Sequence, residues 1–167
     1  IELVTKNDKL IIKSKDHVEL RPSKGKDITI TVPIEQVSKL SLNGSGEIEG
    51  TFPLKSDAIK LQVNGSGDLE VALDATNVKA SVTGSGDIEV SGKADYFEAV
   101  VTGSGDIDGN ELIANICEGK VVGSGDIKFH AEEELDAKIV GSGDIEINKT
   151  VKRIEKKIVG SGDVTKK

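Results

Sequence analysis

Carboxylates recur at one place in the chain. Glu47, Asp68, Asp87, Asp106, Asp126, Asp144 and Asp163 each follow a Gly-Ser-Gly triplet directly. Two residues further on stand Glu49, Glu70, Glu89, Asp108, Lys128, Glu146 and Thr165. Clustered carboxylate oxygens are the donors that calcium prefers, and Asp106, Asp126 and Asp144 are the calcium candidates. Grouped aspartates on one outer face also serve polyuronide cleavage in parallel β-helices. A third reading needs no ligand: each aspartate accepts hydrogen bonds from backbone amides of its own glycine corner. Something must offset the repulsion of stacked carboxylates, which is about 1 kcal/mol per neighbour in water. The nonapeptide period of calcium-binding β-rolls is absent, so the hydrogen-bonded reading is preferred and no metal is expected.

Other reactive groups are few. Gly-Ser-Gly is not the Gly-x-Ser-x-Gly nucleophile elbow, which sits on a strand-to-helix turn. Nor is it a dinucleotide fingerprint, because the third glycine and the following helix are missing. His17 and His130 are the only histidines and lie far apart; each reads as a surface residue before it reads as a general base. Cys117 falls in an apolar column and reads as a small buried hydrophobe. Asn43, Asn64 and Asn148 satisfy Asn-x-Ser/Thr, but the first two arise from the repeat phrase itself. No catalytic residue and no cofactor are expected.

Composition narrows the partners. The 167 residues carry a formal charge of −7, which disfavours polyanions such as nucleic acid, since counterion release needs a concentrated basic surface. Phe52, Phe97, Phe129 and Tyr96 are the only aromatics, too few for stacking on bases or sugar rings. The lone cysteine leaves the redox compartment open. No apolar run is long enough to span a membrane. The chain starts at Ile1 and contains no methionine, so it reads as a processed or trimmed product, which leaves room for an export signal that is not visible in this sequence.

The carboxylates are positioned by a repeat. The first glycines of the seven triplets are Gly44, Gly65, Gly84, Gly103, Gly123, Gly141 and Gly160, spaced 21, 19, 19, 20, 18 and 19 residues apart. A period near twenty that tolerates single insertions marks a stacked solenoid. Columns emerge on alignment. Six residues before the glycine stand Ser38, Ile59, Val78, Phe97, Cys117, Leu135 and Ile154; two before it, Leu42, Val63, Val82, Val101, Val121, Ile139 and Ile158. Between them lies a narrower column of Leu40, Leu61, Ala80, Ala99, Gly119, Ala137 and Lys156. Ile48, Leu69, Ile88, Ile107, Ile127, Ile145 and Val164 continue the inward set beyond the corner.

Period-two alternation places these on one side of a strand. Each repeat is read as a strand of about six residues, a glycine corner, a second strand of about four and a less regular third side. Ala72–Asn77 and Gly92–Tyr96 exemplify that third side. Lys156 suits a last rung open to water and discourages further strand addition. The outward column Val122, Val140 and Val159 is apolar; cover by a loop or a missing segment is preferred over a partner patch. Glu118 with Lys120, Asp136 with Lys138 and Glu155 with Lys157 read as a solvated charge ladder.

Residues 1–33 differ. Two β-runs around Lys6-Asn7-Asp8-Lys9 predict a hairpin. Further runs at His17–Arg21 and Asp27–Val32, the last ended by Pro33, predict more antiparallel strands. The expected architecture is therefore all-β: a parallel β-helix of about seven rungs over 34–167, with an N-terminal antiparallel β cap over 1–33.

The run Asp27-Ile-Thr-Ile-Thr-Val-Pro33, then Val37 to Gly46, then Gly-Ser-Gly-Asp-Ile at nineteen-residue spacing, resembles the bacterial putative auto-transporter adhesin family, head GIN domain. The resemblance covers roughly Leu10 to the end. It implies a right-handed parallel β-helix on an exported, often lipid-anchored protein, periplasmic or at the cell surface, and offers no active site to carry over. Two functions follow. The first is a non-catalytic surface module, an adhesin or scaffold whose partner is a surface polysaccharide or another envelope protein. The second is a carbohydrate-active β-helix that cleaves polyuronides or binds polysaccharide. Aspartates that recur at every rung, rather than clustering once, favour the first.

Overall fold

The computed structural model describes residues 1–15, 26, 28–34, 36–148 and 151–167. The chain forms two compact units, Ile1–Pro33 and Ile34–Lys167, and among the described residues all regular structure is β.

In the first unit, β1 (Glu2–Lys6) and β2 (Lys9–Lys13) pair antiparallel, with Lys6 opposite Lys9 and Glu2 opposite Lys13. Asn7 and Asp8 have φ of 51° and 57°. Positive φ at both central residues is the type I′ geometry, whose twist matches that of the flanking strands. The strand expected at His17–Arg21 lies outside the described residues. The one expected over Asp27–Val32 does not form across 28–32, and Asp27 itself is not described. Alternation of Ile28, Ile30 and Val32 is present, but no described strand offers these residues a ladder.

The second unit is a parallel β-solenoid of seven turns. Its strands are β3 (Lys39–Gly44), β4 (Glu47–Glu49), β5 (Leu54–Gly65), β6 (Asp68–Gly84), β7 (Ile88–Gly103), β8 (Ile107–Gly123), β9 (Ile127–Gly141), β10 (Ile145–Ile147), β11 (Arg153–Gly160) and β12 (Val164–Lys166). Each pairs with its equivalent one turn away, so that Leu42, Val63, Val82, Val101, Val121, Ile139 and Ile158 are successive ladder neighbours.

The third side departs from expectation. Ala72–Asn77 and Gly92–Tyr96 lie inside strands of 17 and 16 residues that run from one glycine corner to the next. A side without its own alternation still finds ladder partners in the turns before and after it, and those bonds hold it extended. Length differences are absorbed by register shifts at Glu89/Ser91, Gly109/Ile113 and Ala114/Ile116.

The inward columns form one contiguous core, and no described polar or charged residue is buried. The corners need glycine twice. The first glycine of every triplet has φ between +114° and +137°, a region costly for any residue with a Cβ. From the second turn on, a Cβ on the second glycine would collide with the carbonyl oxygen of its counterpart one turn earlier. Two further glycines serve packing. A Cβ on Gly109 would lie 2.5 Å from Phe97 Cε1, and one on Gly119 would lie 2.6 Å from Phe129 Cε2. The rings of Phe97 and Phe129 meet edge to face at 5.4 Å. Each glycine therefore vacates the volume that a ring from a different column occupies.

Candidate functional site

The aspartate column runs along the solenoid just after the glycine corners, with every member exposed. Backbone bonds between turns set its spacing: Ile88 N–H donates to Asp106 O and Ile107 N–H to Asp126 O, both at 3.0 Å. The side chains add a second ladder. Asp87 Oδ1 accepts the Asp106 amide at 2.8 Å, and Asp106, Asp126 and Asp144 accept the amides of Asp126, Asp144 and Asp163 at 2.7 Å. Each of these four carboxylates thus accepts a backbone amide, but from the next turn instead of its own corner. The glycine corner presents the following turn's aspartate amide, whereas its own amides donate to the turn before. Asp163 in the seventh turn instead takes the amide of its neighbour Val164 at 2.7 Å. Charge-assisted bonds of this kind are stronger than neutral ones and offset the repulsion along the column.

The calcium candidates Asp106, Asp126 and Asp144 are consecutive rungs of that ladder. Among the described residues, no group of three or more His, Cys, Asp or Glu side chains is arranged to hold a metal ion. In the next outward column Glu49, Glu70 and Glu89 are register neighbours. Further along, Lys128 donates to Asp108 Oδ2 at 2.9 Å and Lys167 approaches Glu146 at 3.3 Å. The bond to Asp108 is the first cause holding the Lys128 pKa above its ordinary value.

The face before the corner carries the charge ladder. Lys79 meets Glu98 at 2.6 Å, and Lys138 bridges Asp136 at 3.0 Å and Glu118 at 3.7 Å. The expected Asp136–Lys138 pair is present, whereas Glu118 pairs with Lys138 and with the Tyr96 hydroxyl at 2.7 Å, not with Lys120. Burial first, and then that bond, push the Tyr96 pKa up. At its polar end the column ahead of the corner is an amide ladder, with Asn64 Nδ2 donating to Asn43 Oδ1 at 2.9 Å. At its other end Val140 and Val159 are 49% and 59% exposed.

Among the described residues no catalytic geometry assembles. His130 Nδ1 lies 3.2 Å from Asn110 O and Nε2 lies 3.6 Å from Glu132, so its ring contacts a bulge carbonyl and a carboxylate. Among the described residues no Ser, Thr or Cys is hydrogen-bonded to a histidine, and His17 lies outside them. Cys117 is fully buried in its inward column, where burial pushes its thiol up to about 12. Reasoning by columns also missed a recess at the seventh turn, lined by Ile147, Ile154, Lys156, Val164 and Lys166. Its only sequence signal is the pair of lysines standing in inward columns.

Known proteins provide the context. The family profile for "Putative auto-transporter adhesin, head GIN domain" matches residues 1–151. No curated protein matches the chain. Among solved structures, the chain is similar to a putative adhesin from Bacteroides fragilis, with 27% identity and a TM-score of 0.82 over 99% of this chain and 76% of that one. It is also similar to a putative lipid binding protein from Parabacteroides distasonis, with 35% identity and a TM-score of 0.74 over 79% of this chain and 54% of that one. A putative adhesin from Parabacteroides distasonis follows, with 26% identity and a TM-score of 0.67 over 78% and 58% of the two chains. This chain therefore spans little more than half the length of the last two. A match across residues 1–151 of 167 means that the chain belongs to the putative auto-transporter adhesin, head GIN domain family.

Proposed function

We propose that this chain is a non-catalytic module, exported to the periplasm or the cell surface, that displays its outward ladders to a surface polysaccharide or another envelope protein. The observation that carries the reading is the distribution of exposed chemistry. Carboxylates repeat in register at every corner, and Asp87, Asp106, Asp126 and Asp144 are engaged by backbone amides instead of converging on one point. A catalytic centre needs groups of different pKa and role gathered around one reacting bond. A display surface needs repetition, because many weak contacts along a repeating ligand sum to a strong one. Family membership and the names of the two similar putative adhesins support the same reading.

Surface polysaccharides and envelope proteins immobilised on sensor tips, with the chain as analyte, test the proposal. Saturable binding that weakens as turns are removed is the expected result. In parallel, polyuronides are incubated with the chain and with Asp106→Asn and Asp126→Asn, and the release of uronate ends is followed. Turnover that disappears in the two variants would replace the display reading with the carbohydrate-active one.

A further inference from the structure

On the face ahead of the corners, one outward column changes sign partway along the stack. Lys39, Lys60 and Lys79 occupy it in the first three turns, and Glu98, Glu118, Asp136 and Glu155 in the last four. Like charges are therefore ladder neighbours within each half, an arrangement that destabilises a sheet. Partners within the chain relieve it only in part. Lys79 meets Glu98 where the halves adjoin, and Glu118 and Asp136 share Lys138. Lys39 and Lys60 meet no carboxylate among the described residues. The next outward column offers them none, since Ser41, Gln62, Ser81 and Val100 precede Lys120, Lys138 and Lys157.

A second copy, turned over, supplies what each half lacks. A twofold axis parallel to the strands, midway between the third and fourth turns, maps each column of this face onto itself in reverse order. Lys79 then faces Glu98, Lys60 faces Glu118 and Lys39 faces Asp136, and twofold symmetry makes each pairing occur twice. No two like charges come directly opposite, because Ser41 and Gln62 face Lys138 and Lys120. Val140 and Val122 come over Asn43 and Asn64, whose amides are already bonded to each other. A twofold running along the stack would instead leave Lys39 and Lys60 opposite Ser41 and Gln62. Six turns at about 4.8 Å and six residues at about 3.3 Å make a face of about 600 Å². A pair would bury about 1,200 Å², the lower bound for a stable specific complex. We infer that two copies of this chain associate antiparallel through this face. The aspartate ladder lies beyond the glycine corner, and the inference does not rest on what that ladder binds.

Sedimentation equilibrium of the full chain across the micromolar range tests it, and a monomer–dimer equilibrium that weakens with added salt is expected. Lys39→Glu with Lys60→Glu should weaken the dimer by about tenfold or more, and so should Glu118→Lys with Asp136→Lys. All four substitutions together should restore it. Orientation is read with Asn43→Cys and Val140→Cys, since the native Cys117 is fully buried. A short bismaleimide should join the two variants when they are mixed. Neither variant should link to itself, because identical sites would then lie about 24 Å apart along the stack. A chain that stays monomeric up to millimolar concentration would overturn the inference. So would a dimer indifferent to both charge reversals, a quadruple variant that is not restored, or self-linking of Asn43→Cys alone.

Discussion

Gly109→Ala isolates the interlock between ring and glycine. The added methyl would start 2.5 Å from Phe97 Cε1 and 3.3 Å from Cζ, with Lys128 O at 3.0 Å on its other side. Neither neighbour can easily withdraw. Phe97 is fully buried and leans on Phe129, and the Lys128 carbonyl belongs to a strand paired on both sides. The backbone at Gly109 lies outside the positive-φ region, so alanine adds no conformational strain and the whole effect is steric. Overpacking a tight core costs about 1–3 kcal/mol, and confinement between backbone and a locked ring places this site at about 2–3 kcal/mol. With Phe97→Leu in place the ring edge is gone, and the same methyl should then cost less than about 1 kcal/mol. The cycle therefore predicts a coupling of about 1–2 kcal/mol, normal for side chains in contact. Urea unfolding of the four proteins, followed by far-ultraviolet circular dichroism, measures it. If Gly109→Ala costs the same with and without the ring, Phe97 does not fill the space that Gly109 vacates, and the account of the core is wrong.

Ile107→Asp puts a carboxylate at a fully buried middle rung and should cost more than about 4 kcal/mol. Val164→Asp in the half-buried seventh turn should cost about 1 kcal/mol; equal losses in thermal midpoint would contradict a stacked interior. Asp126→Ala removes the acceptor of the Asp144 amide and should lower stability by about 0.5–1.5 kcal/mol. Asp126→Asn, which keeps an acceptor oxygen, should lose less than half of that, a difference readable in urea midpoints. Because these carboxylates are already engaged by amides, a chelator should leave the thermal midpoint unmoved, and a downward shift would reveal a structural cation. Cys117 should resist iodoacetamide until the chain unfolds, with labelling quantified by mass spectrometry; rapid modification of the native protein would remove it from the core. Its thiol is pushed from 9.0 to about 12, so the folded chain keeps a proton that the unfolded chain releases. That contribution to stability is present below pH 9 and is lost as the pH climbs towards 12.

Much of the architecture was legible because stacking turns sequence periodicity into spatial proximity. The column of Val63, Val82, Val101 and Val121 needed only the repeat length and period-two alternation, and all four are buried. The hairpin was legible from Asn7 and Asp8, residues that tolerate positive φ. What eluded the sequence depends on neighbours in other turns. Alternation carries on from Val71 to Leu73 and from Phe129 to Ala131 but breaks before the next inward column at Val78 and Leu135, so the third side read as irregular although Leu73, Leu112 and Ala131 are buried. Gly109 shares a column with Val71, Val90 and Phe129, and the ring that fills the space it leaves comes from a different column. The carboxylate bonds were anticipated in kind but not in direction. Which amide an aspartate reaches depends on how corners overlie one another, and no single repeat contains that information.

The forward reach of the aspartates bears on how tall such a rod can be. Excising the 19 residues from Ser85 to Gly103 would join Gly84 to Ser104, and Asp68 would inherit the place of Asp87 beneath Asp106. Splices among the corners of Asp87, Asp106, Asp126 and Asp144 keep the same carboxylate-to-amide contact. Height can therefore grow or shrink in increments of about 4.8 Å, while the aspartate ladder is preserved. Gene duplication and loss could tune how far the molecule projects without redesigning what it presents.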